Sequence, residues 1–189
     1  MTRIATTTEI SRPAAEIFDY VTTPSSWPRW HPSSLAVSGA TDHSLRLGEQ
    51  VAEEFLVAGR RGSVVWTVRE ALPPVRWTIE GEVAGHSGGG TVTYALAPIP
   101  GGTRFWRELA YELPGPVARA LDWLVLRRRV DAESAEALRR LKAVLEGGEV
   151  PAPGLTSSRS ILLPLAAAGC LAAALAYRLG RRARCRVVG

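Results

Sequence analysis

Residues 4–34 read IATTTEISRPAAEIFDYVTTPSSWPRWHPSS, and how this stretch divides decides the fold. Extended back to Thr2, the segment Thr2–Ile10 is Thr-rich and β-prone, which predicts a strand. A helix start follows: Ser11 is placed at or near its cap, Pro13 suits a first turn, and Glu16 puts negative charge where the helix dipole favours it. Ile17, Phe18 and Val21 mark the apolar face of a short helix that ends before Pro24. Ser25–His31 predicts a second short helix or turn, closed by Pro32.

Six further strand candidates lie outward from this stretch: Leu35–Thr41, Glu49–Ala58, Ser63–Ala71, Val75–Val83, Thr91–Ala97 and Thr103–Leu113. The breaks at Gly59–Gly62, Pro73-Pro74, Gly85–Gly90 and Pro98–Gly102 are of hairpin type. Connections this short imply an antiparallel meander. Pro116–Glu146 predicts a long helix that stops at Gly147-Gly148. In it Leu121, Leu124, Val125, Ala132, Ala135, Leu138, Leu141 and Leu145 recur near helical spacing, and Glu136 precedes Arg140 by one turn in the favourable order. The order β-α-α-β6-α is an α+β arrangement. Two short helices cannot cover the concave face of a curved sheet of about seven strands, so the long C-terminal helix is expected to lie across it. Such packing leaves a cavity between sheet and helix.

At this point the chain resembles the START-like, helix-grip (SRPBCC) proteins, and among them the polyketide cyclase/dehydrase-like branch. The resemblance rests on Ile4–Ser34, on the strand–Pro-Pro–strand hairpin VREALPPVRWTIEGE (Val68–Glu82), and on ALRRLKAVLEGG (Ala137–Gly148). It covers about residues 2–147. It implies a cavity for a hydrophobic ligand or lipid, in a superfamily that also holds aromatase/cyclases, dehydratases and chaperone-like proteins; fold alone does not choose among them.

Strand alternation sorts the candidate site residues. Phe105, Arg107, Leu109, Tyr111 and Leu113 share one face and are expected to line the cavity, with Arg107 and Tyr111 as polar groups on an apolar wall. Val51, Glu53, Phe55 and Val57 share another face, as do Val75, Trp77, Ile79 and Val83. The expected ligand contacts are Trp30, Phe55, Trp77, Phe105, Arg107 and Tyr111; the acid–base candidates are Glu53, Arg107 and His31. A buried Glu53 and Arg107 need partners or hydrogen bonds. The competing readings are that a bulge or twist turns them to solvent, or that they form a structural salt bridge; a one-residue slip reverses the faces. Trp27 and Trp30 suit either a cavity mouth or a structural plug. His31 reads better as a surface or helix-end histidine than as an acid or base, and His43 and His86 as incidental loop residues.

Several chemistries are excluded. No G-x-G-x-x-G opens a helix after a strand, and there is no Walker A sequence. No G-x-S-x-G elbow or Cys/His pair supports a covalent mechanism. Gly85–Gly90 lies between strands and reads as a hairpin loop. Arg127-Arg128-Arg129, with Asp122, Asp131 and Glu133 nearby, reads as a solvated face; a weaker reading has it orient the domain on anionic lipid. No cofactor and no metal are expected: both cysteines, Cys170 and Cys185, lie in the tail without a nearby histidine.

The 189 residues suit one domain plus an appendage, and 46% apolar with 22% charged residues suits a folded chain with a core. The net charge of +5 is unevenly placed. Residues 1–150 hold 17 basic and 18 acidic side chains, a net −1; residues 151–189 hold six arginines and no carboxylate, a net +6. The domain is therefore near neutral, which argues against nucleic acid as its partner. Ile161–Tyr177 (ILLPLAAAGCLAAALAY) carries no charge across 17 residues. As a helix it would reach about 25 Å, against about 30 Å of hydrocarbon. Leu162, Leu165, Leu171 and Leu175 are the expected apolar anchor, and Arg178, Arg181 and Arg182 begin a basic end suited to an anionic membrane surface. The alternative is a soluble Ala-rich helix packed on the domain. Whether the run spans or lies in the interface is left open by the sequence. The expected organisation is a helix-grip domain (1–147), a Pro/Gly/Ser linker (148–160) and an anchor (161–189). Met1–Ile10 enters a strand without a signal peptide, which predicts a membrane-associated domain on the cytoplasmic side.

The expected function is binding of a hydrophobic small molecule or lipid without turnover, since no convincing acid–base pair is legible. The alternatives are a cyclase/dehydratase-type enzyme using the same cavity, and a non-catalytic accessory protein that places a protein partner at the membrane.

Overall fold

In a computed structural model, residues 1–57, 59–83, 89–112 and 127–148 are described. The linker from Glu149, the apolar run, the basic end, Leu113, Leu121, Leu124, Val125 and His86 lie outside these residues. Thr2–Ile10 forms β1. Helix α1 covers Ala14–Thr22, a 3-10 turn covers Pro24–Ser26, and the four-residue α2 covers Trp27–Trp30. Six strands follow: β2 (Ser34–Gly39), β3 (Gln50–Val57), β4 (Arg60–Leu72), β5 (Arg76–Val83), β6 (Gly89–Ile99) and β7 (Gly102–Tyr111). Helix α3 is described over Arg127–Glu146. All neighbouring strands pair antiparallel in one curved sheet of order β1-β7-β6-β5-β4-β3-β2. This is the expected α+β helix-grip architecture.

Three local expectations shift. Ser11 does not cap α1: Pro13 occupies the cap position without a side-chain bond, and the Ser11 N–H donates instead to Glu146 of α3 at 2.7 Å. The break at Gly59–Gly62 shortens, because Val57 pairs with Arg60 and Gly62 pairs with Phe55 inside the ladder. Val75 does not join the inner face; it lies in the turn after the cis Pro73-Pro74 bond and is 57% exposed.

Helix α3 is held by its apolar stripe and by its end. Val130, Ala137, Leu138, Leu141 and Leu145 are buried at helical spacing. At the C-terminus Gly147 adopts φ +76°, and the Gly148 N–H bonds the Ala143 carbonyl at 2.8 Å, a Schellman-type close that only a residue free of a Cβ makes without strain. Arg12 Nε donates to the Leu145 carbonyl at 2.6 Å, and Lys142 Nζ to the Glu9 carbonyl at 2.6 Å, tying this end to the β1–α1 corner. Glu136 and Arg140 form the expected one-turn pair at 2.8 Å. Arg127, Arg128 and Arg129 are exposed, as a solvated face requires.

Candidate functional site

The inner face of the sheet divides into two halves. In the first, Trp77, Tyr94 and Arg107 are cross-strand neighbours on β5, β6 and β7, followed by Leu96 and Phe105. Trp77 stacks on Tyr94 at 5.3 Å, Tyr94 meets Phe105 at 5.2 Å, and Trp30 comes edge-on to Tyr94 at 6.4 Å. Trp27 closes on Trp77 edge-on at 6.4 Å and donates its indole N–H to the Val21 carbonyl at 2.9 Å. All of these rings are buried, together with Ile17, Phe18 and Val21 of α1 and Leu138 and Leu141 of α3. This half is a filled core.

The second half lies toward the other end of the same strands. There Glu53, Phe55, Trp66, Leu109 and Tyr111 are only half-buried. Three glycines thin the wall between them. A Cβ on Gly62 would stand 2.5 Å from the Phe55 ring, and one on Gly81 would stand 2.5 Å from the Trp66 ring. The two rings therefore lie over backbone rather than over side chains. Gly90 pairs directly with Tyr111, so β6 presents backbone at that position.

A polar cluster marks the border between the halves. Arg107 is 4% exposed, and its guanidinium donates to Ser134 Oγ of α3 at 3.1 Å and to His31 Nε2 at 3.1 Å. Guanidinium nitrogens only donate, so His31 Nε2 accepts and the ring proton sits on Nδ1. That Nδ1 is buried and has no partner among the described residues, and neither has Arg107 Nε. Burial, reinforced by the charges of Arg107 and Arg140, holds the His31 pKa well below its ordinary value, so the ring is neutral. The Trp66 indole N–H donates to Glu53 at 2.7 Å. Burial raises the Glu53 pKa; the Ser34 hydroxyl, Trp66 and the Arg107 charge pull against that rise, though Ser34 makes no well-formed hydrogen bond. Burial also pushes the Tyr94 hydroxyl up to about 12, with Arg107 pulling the other way. Glu53 and Arg107 form no ion pair within 4 Å. A charged guanidinium this deep, held only by neutral acceptors, costs several kcal/mol unless something compensates it.

The structure thus brings together Trp30, Trp77, Phe105 and Arg107, but the first three belong to the filled half. Phe55 and Tyr111 belong to the half-buried one, with Glu53. Of the readings weighed for Glu53 and Arg107, neither the solvent-facing one nor the mutual salt bridge is what forms. His31 does end α2, but its ring nitrogens are not at the surface. His43 lies in a loop, 2.8 Å from Asp42 and 3.1 Å from Glu49. Tyr94, Trp66 and Ser134 are additions. Alternation through Val92 and Leu96 is the signal that could have found Tyr94, and Ser134 is a polar residue in the apolar stripe of α3, four before Leu138. Among the described residues no group of three or more His, Cys, Asp or Glu is placed to hold a metal, and no helix is long and apolar enough to cross a membrane.

A long helix gripped by a seven-stranded antiparallel sheet, with a polar cluster between them, defines a helix-grip domain. The chain belongs to the polyketide cyclase / dehydrase and lipid transport family, whose model matches residues 1–146. Solved structures share the fold. A protein from Mycobacterium smegmatis is 22% identical with a TM-score of 0.59, covering 77% of this chain and 91% of its own. TTHA0849 from Thermus thermophilus is 13% identical with a TM-score of 0.63, covering 77% and 98%. DynU16, a putative protein in the dynemicin biosynthetic locus, is 17% identical with a TM-score of 0.57, covering 78% of this chain and 48% of its own. No curated protein is similar enough to match the chain.

Proposed function

We propose that the domain binds an apolar small molecule or lipid against the half-buried part of the inner sheet face. The observation that carries this is the contrast within one face: a filled aromatic half beside a half where Phe55, Trp66, Leu109 and Tyr111 keep exposed surface and glycines replace side chains. Burying that apolar surface under a ligand is favourable by about 25 cal/mol per Å². The family's description, which includes lipid transport, supports the same reading. Titration of the full chain with the neutral lipophilic dye Nile red tests it. Saturable binding at one site per chain, weakened by Leu109→Trp, is expected; non-saturable or absent binding contradicts it.

One observation keeps an enzyme as the second reading. Glu53 is a carboxyl held toward its neutral form close to Tyr94 and Arg107, as a proton carrier beside an oxyanion-stabilising group would be. On that reading Glu53→Gln abolishes turnover and spares binding; unchanged turnover removes Glu53 as the acid or base.

Membrane attachment through residues 161–189 belongs to the same proposal, with the apolar run followed by five arginines as its support. Removing residues 151–189 is expected to move the protein from the membrane to the soluble fraction. Unchanged fractionation contradicts the anchor.

A further inference from the structure

Two buried arginines lie near His31, and they are not treated alike. Arg140, 8% exposed, donates through Nε to the Glu136 carboxylate at 2.8 Å. Arg107, 4% exposed, meets only neutral groups, the Ser134 and Tyr94 hydroxyls and the His31 imidazole nitrogen, with Glu53 acting on it from beyond ion-pair distance, and its Nε–H is unpartnered among the described residues. The fold supplies a counter-ion on α3 for one cation and none in contact with the other. The His31 Nδ1–H is a second buried donor without a partner, in the residue bonded to the same guanidinium. Arg107 also stands two residues from Leu109 on the same face of β7, where the filled half gives way to the half-buried one.

We propose that the apolar ligand carries a single carboxylate, which ion-pairs with Arg107 while its chain runs along Leu109 and the half-buried wall. This rests on the ligand-binding reading above and adds the ligand's class. A carboxylate accepts more than one charge-assisted hydrogen bond, and a guanidinium meets it as a fork. One negative charge matches the one of these two buried cations that no carboxylate contacts among the described residues. A phosphate monoester, at about −1.5 to −2, would leave excess negative charge, because Arg140 is already paired. A neutral ligand would leave Arg107 without a counter-ion.

Displacement of Nile red from the full chain by oleic acid and by oleyl alcohol, which share one hydrocarbon chain, tests the proposal. The acid is expected to bind tighter by about tenfold or more, and Arg107→Gln is expected to erase the difference. Equal affinity of acid and alcohol for the unaltered protein overturns the acidic head and leaves ligand binding standing. If neither displaces the dye and neither binds, the ligand-binding reading fails and takes this proposal with it. The acid–alcohol comparison on the unaltered chain needs no variant, so it decides the matter even if Arg107→Gln does not fold.

Discussion

The two halves of the inner sheet face are built from the same strands, a few residues apart, yet they are packed differently. In the first, Trp77, Tyr94 and Phe105 touch one another across β5, β6 and β7 and are closed by Trp27 and Trp30. In the second, glycines stand where side chains would meet, and the aromatic rings that remain are half-buried. Stability is therefore expected to reside in the first half and ligand recognition in the second, with Arg107, His31 and Ser134 at the border.

The largest effect should come from the filled half. Trp77→Ala removes a fully buried ring and is expected to cost about 3–5 kcal/mol or abolish folding, read by urea denaturation. Leu109→Ala, on the same sheet face, is expected to cost about 1–2 kcal/mol while weakening Nile red binding; equal losses from both would erase the distinction between the halves. Gly81→Ala sharpens the comparison. Its Cβ would stand 2.5 Å from the Trp66 ring, so the indole must move and its bond to Glu53 must stretch. A loss of about 1–3 kcal/mol is expected, together with a further rise in the Glu53 pKa as the indole bond that opposes that rise is weakened, measurable by NMR titration.

The smallest effect is the pH dependence of the border. His31 is neutral when folded and its pKa lies below that of the unfolded chain, so below about pH 6.5 the unfolded chain takes up a proton that the folded one does not. Its contribution is present above that pH and is lost as pH falls toward the lowered value. Glu53, with a raised pKa, works in the opposite sense: the folded state gains from its protonation in acid and loses that gain as pH rises through the raised value. Denaturation at pH 7.5 and 5.5 is expected to show a smaller acid loss for His31→Asn than for the unaltered chain. An equal loss in both would mean that His31 does not resist protonation.

Much of the filled half was legible in the sequence. Period-2 alternation put Trp77, Ile79, Phe105 and Arg107 on inner faces, and the breaks at Gly59–Gly62, Pro73-Pro74 and Pro98–Gly102 located their hairpins to within a few residues. The border was harder to read. His31 looked like a helix-end surface residue because nothing local shows that Arg107, on β7 far along the chain, turns its ring inward. Trp66 reaches Glu53 diagonally across the β3–β4 pairing, and Ser134 reaches Arg107 from a helix; both contacts depend on register and helix rotation, which periodicity does not fix. Ser11 failed as a cap for a similar reason, since its N–H is claimed by Glu146 at the far end of the domain.

Native mass spectrometry of the full chain released from detergent tests the central claim most directly. The account predicts one apolar adduct per chain, lost when Leu109→Trp fills the half-buried wall and kept when the exposed Val65 is changed to Thr. A bare mass under all release conditions, or an adduct that survives Leu109→Trp unchanged, would contradict it.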